Sequence, residues 1–157
     1  MMDAAAATLL ARLQESGLRL AVAESCTGGL LGATLTSLPG ASAAFAGGVI
    51  AYANDAKQAL LGVPEQVLLQ HGAVSEECAL AMARGALLRL RADVAVSVTG
   101  IAGPGGGTPA KPVGTVWLAA VGPGPARAER HVFAGGRDEV RQQAVAHAVA
   151  LALRALP

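Results

Sequence analysis

Apolar positions recur along this chain with two different periods, and the switches between them mark out the elements. Residues 3–16 carry Ala and Leu at helical spacing, which predicts an amphipathic helix with Asp3 as its N-cap and Gly17 as its stop. Residues 18–24 (LRLAVAE) read as a strand, and SCTGG (25–29) turns the chain into a second helix ending near Pro39-Gly40. Residues 48–53 (GVIAYA) are a second strand. Asn54 is placed to cap a short helix through Leu61, and Pro64 begins another short turn. Ser75 followed by Glu76 and Glu77 opens a helix to about Arg91, its acids suited to the positive end of the dipole. Residues 93–99 (DVAVSVT) form a near-continuous apolar run, the kind of strand buried on both faces. A Gly/Pro loop fills 100–112, segments 114–121 and 127–133 make a hairpin, and a last helix spans 138–156.

Helices and strands alternate until that hairpin, which predicts an α/β fold: a three-layer α/β/α sandwich with a mixed, mostly parallel sheet. No repeat or linker interrupts residues 1–157, so one domain is expected. With 53% hydrophobic and 15% charged residues the chain has ample core and no disordered composition. A net charge of +1 supplies no broad basic surface, so nucleic acid is not expected as a partner. There is no apolar run of membrane-spanning length and no cleavable leader, and a cytoplasmic protein is expected. Cys26 and Cys78 are far apart without metal-ligand spacing, and His71, His131 and His147 are scattered as surface or packing residues. Neither a metal nor a cofactor is therefore expected.

Chemistry in open α/β sheets gathers where strand ends feed helix starts, and three such places stand out. In AESCTGG (23–29), small and hydroxyl residues at a strand-to-helix turn leave backbone N–H groups free for an anion or an oxyanion. Ser25 is there either as a nucleophile or as a plain helix cap. Cys26 is the competing nucleophile and lacks a neighbouring His to ionise it. In YANDAK (52–57), Lys57 falls in the first turn of a helix, where the dipole and burial both lower an amine's pKa. It is either a general base or an ordinary solvated lysine. The chain has ten Arg and two Lys, Lys57 and Lys111, both in or beside these loops, and arginine cannot be deprotonated. The glycine-rich 100–107 loop lets backbone approach a ligand but matches neither a P-loop nor a dinucleotide fingerprint. Arg137 and Arg141, four apart at the start of the last helix, either hold an anionic substrate or are neutralised by Asp138 and Glu139.

Taken together, AESCTGG, Tyr52-x-Asn54-x-x-Lys57, HGAVSE (71–76), SVTGIAGPGGG (97–107), KPVGTVW (111–117) and GGRDEVRQQA (135–144) resemble the stand-alone CinA C-terminal domain family in order and spacing. The resemblance covers roughly residues 5–155. It implies an α/β/α sandwich and metal-independent hydrolysis of nicotinamide mononucleotide to nicotinate mononucleotide and ammonia, in pyridine nucleotide recycling. By motif it implies Ser25 as nucleophile with Lys57 and Tyr52 as activating partners. Thr27, Gly28, Asn54, Thr99, Gly100 and Gly103 would line the site, and Arg137 or Arg141 would hold the phosphate or ribose. Gly105 and Gly136 stand where many relatives carry an acid, which removes two carboxylates near the expected site. The competing readings are a nucleotide-binding regulatory module without turnover and an amidase for another small carboxamide. The Ala/Leu-rich last helix is expected to pack against a second copy, giving a homo-oligomer.

Overall fold

The computed structural model describes residues 2–157. Its order is α1 (Met2–Ser16), β1 (Leu20–Glu24), α2 (Leu30–Thr36), a 3-10 turn (Ala41–Ala43), β2 (Phe45–Ile50), α3 (Asn54–Leu61), α4 (Glu65–His71), α5 (Glu76–Arg89), β3 (Val94–Gly100), β4 (Thr115–Val121), β5 (Arg127–Val132) and α6 (Arg137–Arg154). The five strands lie in the order β2-β1-β3-β4-β5. The first three are parallel and the last two antiparallel, as the predicted hairpin requires. The expected mixed sheet in a three-layer sandwich is what forms. Two cap positions differ from expectation. Asp3 lies inside the first turn of α1, and Ala53 rather than Asn54 caps α3, because Lys57 N–H already closes onto the Ala53 carbonyl at 3.0 Å.

Strand pleating sorts the core by size. Leu20, Val22, Val94, Val96, Val98, Val116 and Leu118 face α1, α2 and α6, whereas Ala21, Ala23, Ala95 and Ala119 face α5 with Met82, Ala83 and Ala86. Branched residues fill the deeper layer, and alanines let α5 come close on the other side. The apolar stripe of α6 (Val140, Ala144, Ala148, Leu151) is buried within the chain.

The closeness of α5 reaches its limit at Gly85. A Cβ there would sit 2.0 Å from the Leu61 carbonyl oxygen at the end of α3. In an exposed helix Gly→Ala gains roughly 1 kcal/mol; here overpacking against rigid backbone reverses the sign, and Gly85→Ala is expected to lower stability by about 2 kcal/mol. Urea unfolding of the two proteins checks it. The joint that Gly85 allows also fixes α3, and α3 carries Lys57.

Candidate active site

β1 ends at Glu24, and its ladder runs one residue further: Ser25 N–H donates to Val98 O at 3.0 Å, and Ala51 N–H donates to Glu24 O at 2.9 Å. Ser25 therefore sits at the carboxyl end of the parallel strands, between the ends of β2 and β3. It is 6% exposed. The chain then tightens through Gly28 and Gly29, both with positive φ (56° and 105°), into α2. Gly28 N–H closes onto Ser25 O, and Leu30 N–H onto Thr27 O. Among the described residues the N–H groups of Cys26 and Thr27 close onto no backbone carbonyl.

Lys57 is fully covered, at 2% exposure. Its Nζ lies 2.9 Å from Ser25 Oγ and 2.8 Å from the Tyr52 carbonyl oxygen. Burial lowers its pKa from the ordinary lysine value. Ser25 Oγ in turn lies 3.5 Å from the same Tyr52 carbonyl oxygen, so amine, hydroxyl and carbonyl form one buried cluster. No carboxylate bonds to Nζ among the described residues; its charged-form neighbours are the thiols of Cys78 and Cys26. Burial pushes both thiols up to about 11, so neither is a thiolate at neutral pH. Cys26 borders the site without the ionisation a thiol nucleophile needs.

Tyr52 reaches Lys57 through its main chain. Its side chain is 60% exposed, and its hydroxyl accepts a hydrogen bond from Arg137 Nη2 at 3.2 Å. Arg137 Nη1 also donates to Gly103 O at 2.8 Å, so this guanidinium joins the tyrosine to the glycine loop. Arg141, one turn later on α6, turns away. It donates to Cys26 O (3.2 Å) and Thr27 O (3.0 Å) and braces the back of the Ser25 turn. Four-residue spacing puts both arginines on one helix face, but only the first borders the cleft.

That cleft, of about 270 Å³, is lined by Ser25, Cys26, Tyr52, Asn54, Lys57, Thr99, Gly100, Gly103 and Arg137 among the residues singled out in the sequence. Thr27, Gly28 and Arg141 are not in its lining. Thr27 is wholly buried, its hydroxyl donating to Glu24 Oε1 at 2.6 Å. Ala73, Val74, Ile101, Ala102, Gly105 and Gly106 also line the cleft; their contributions are main chain and small apolar groups, which carry no side-chain signature. A Cβ at Gly105 would meet nothing within 4 Å, while one at Gly136 would lie 3.1 Å from Glu139 Oε2. The carboxylate of Glu139 thus curls over Gly136. Glu24 is the residue that motif reading passed over. It is 2% exposed and accepts from Thr27, from Leu31 N–H (2.8 Å) and from Gly32 N–H (2.9 Å). Among the described residues no three His, Cys, Asp or Glu side chains could hold a metal ion, and no helix is long and apolar enough to cross a membrane.

Known proteins place this arrangement. A family model described as the CinA C-terminal domain matches residues 2–156. A CinA-like protein of Parasynechococcus marenigrum is 56% identical over 149 residues, which cover 94% of this chain and 36% of that protein. A CinA-like protein of Syntrophobacter fumaroxidans is 54% identical over 145 residues, covering 92% of this chain and 34% of that protein. The chain therefore spans about a third of the length of these curated relatives. The crystal structure of competence/damage inducible protein CihA from Agrobacterium tumefaciens superposes with a TM-score of 0.96 at 42% identity, covering 98% of this chain and 94% of that one. That of a CinA superfamily protein from Enterobacter cloacae gives 0.94 at 33% identity, covering 99% and 92%. In sequence, fold and the order of its motifs, this chain belongs to the CinA C-terminal domain family.

Proposed function

We propose that this chain is an amidohydrolase that converts nicotinamide mononucleotide to nicotinate mononucleotide and ammonia, with Ser25 as nucleophile and Lys57 as its base. The observation that carries the proposal is the buried amine of Lys57, 2.9 Å from Ser25 Oγ and bonded to no carboxylate. An uncharged lysine beside a serine at a strand end is an activated nucleophile of the serine–lysine kind.

The steps follow from that pair. Lys57 takes the hydroxyl proton as Ser25 Oγ bonds to the carboxamide carbon. The carbonyl oxygen, now an anion, lies against the strand-to-helix turn, where Cys26 N–H borders the cleft and closes onto no backbone carbonyl. As the C–N bond breaks, Lys57 returns its proton to the leaving nitrogen and ammonia departs. Water then attacks the acyl ester. Lys57 accepts one of its protons and gives it back to Ser25 Oγ, releasing the carboxylate. Tyr52 O holds the amine in place throughout, and Thr99, Gly100 and Asn54 bound the space for the ring and ribose. Arg137, at the edge of the cleft beside the glycine loop, is the guanidinium for the phosphate.

Ammonia release from nicotinamide mononucleotide by the purified chain is the direct test. The ribotide is expected to be turned over far better than free nicotinamide, which cannot use Arg137. The base must be neutral, so kcat/KM is expected to rise with pH and level off once Lys57 is deprotonated. Because burial lowers that pKa, the rising limb has its midpoint below 10.5. Binding of the ribotide without ammonia release would support a regulatory module instead. Equal turnover of free nicotinamide would support an amidase of broader range.

A further inference from the structure

Lys111 is the second of the chain's two lysines, and the chemistry above makes no use of it. The geometry points to Lys111 as a positioning residue that ties the glycine-rich loop to the opposite wall of the cleft and so sets substrate affinity. This rests on the amidase reading for its kinetic consequence, but the strap itself is a matter of structure.

The wall is the short link between α4 and α5, whose Ala73 and Val74 line the cleft. Three consecutive carbonyls of this link each accept one side chain. Lys111 Nζ bonds to His71 O at 2.7 Å, Ser75 Oγ to Gly72 O at 2.8 Å, and Thr99 Oγ1 to Ala73 O at 2.9 Å. Ser75 is local, since it is also the N-cap of α5, and Thr99 belongs to the sheet beneath. Only Lys111 comes from the loop whose Ile101, Ala102, Gly103, Gly105 and Gly106 form the facing side. A closed turn presents it: Lys111 N–H donates to Thr108 Oγ1 at 3.0 Å, and Thr108 N–H donates to Lys111 O at 2.8 Å. Gly72 makes room, because a Cβ there would lie 3.2 Å from Nζ and its φ is +78°.

The loop is thus pinned at two points across the cleft, by Arg137 at Gly103 and by Lys111 at His71. Between them run three consecutive glycines (105, 106 and 107), a stretch free to move between Pro104 and Pro109. Releasing one pin lets the cleft sample wider states, and an unliganded protein that populates the closed form less binds more weakly by that fraction. Chemistry at Ser25 and Lys57, fixed by β1 and α3, is untouched. A bare carbonyl at 2.7 Å suits a compact ammonium. Arginine keeps the charge with a wider fork, so it restores only part of the strap.

The test compares wild type, Lys111→Met and Lys111→Arg as full chains. Amide hydrogen exchange is expected to quicken in Lys111→Met at both 71–75 and 101–110 while α1, α6 and the sheet stay protected. With nicotinamide mononucleotide, KM is expected to rise about tenfold, the size of losing one charge-assisted hydrogen bond, with kcat within about twofold. Lys111→Arg should recover part of both effects. Unchanged exchange in 71–75, or a fall in kcat at constant KM, overturns the strap. A wild-type chain that releases no ammonia overturns the amidase reading instead, and the exchange data then decide the strap alone.

Discussion

Replacing Lys57 with methionine is expected to lower ammonia release by about 10⁴-fold, because in the proposed mechanism one group supplies both the general base and the returning acid, and yet to leave the protein at least as stable as its parent. The two halves have one cause. Lys57 is 2% exposed, and burial pulls its pKa below the ordinary value. In the unfolded chain the amine holds its proton up to about pH 10.5. Between the folded and unfolded pKa values the unfolded state binds more protons, so the parent gains stability as pH rises through that window and carries a penalty below it. Methionine has similar length, no charge to desolvate and a soft thioether that fits irregular space. The melting temperature of Lys57→Met should therefore match or exceed that of the parent at pH 7, and the gap should narrow toward pH 10. Ser25→Ala is expected to lose turnover to a similar degree while still binding the ribotide, since its loss leaves the cleft's walls in place. Retained turnover in either variant, or a methionine variant that melts several degrees earlier, removes the neutral amine from the mechanism.

The meeting of Ser25 and Lys57 was legible because its signal is local. Ser25 stands at the end of an apolar run, and Lys57 stands in a helix start and is one of two lysines against ten arginines. Strands β1, β3 and β4 were legible for the same reason, since each is a nearly continuous apolar run. By contrast, β5 (RAERHV) is polar and was marked only by the turn before it, and β2 lies at Phe45–Ile50 and not at 48–53. What stayed hidden is of two kinds. Main-chain acceptors carry no side-chain letter, so the carbonyls of Tyr52 and His71, which hold the two lysines, cannot be read from motifs. The sequence reading gave Tyr52 a part in activating Lys57; in the structure the carbonyl makes the contact, while the phenol turns to Arg137. The other kind is direction. Arg137 and Arg141 read as equivalent, but the turn of Cys26 and Thr27 passes under the second and takes its donors. Asn54 lost the cap position to the main chain as well: the chain leaves β2 extended through Ala53, whose carbonyl opens α3 one residue early.

Glu24 marks the furthest limit of sequence reading and gives the largest expected effect on stability. α2 starts from Gly29, a cap residue with no side chain to satisfy the first N–H groups. The carboxylate at the end of β1 does it instead from outside the helix. Oε1 accepts from Leu31 N–H and Thr27 Oγ1, and Oε2 from Gly32 N–H. Those partners lie three, seven and eight residues on, a spacing that no capping pattern describes. Removing the carboxylate in Glu24→Ala leaves two amides and a hydroxyl buried without an acceptor, and the expected loss is about 3–5 kcal/mol, or a melting temperature lower by about 10 °C in a domain of this size. Glu24→Gln keeps the shape, but its NH₂ must face a donor, either Gly32 N–H or the Leu31–Thr27 pair, and about half of the loss is expected to remain. Because Thr27 hangs from the same oxygen, Thr27→Val should cost less in the Glu24→Ala background than alone, a coupling a double-mutant cycle measures. Additive losses would mean that the two side chains act separately. Coupled losses accompanied by slower turnover would tie the cap to Ser25, whose turn lies between them.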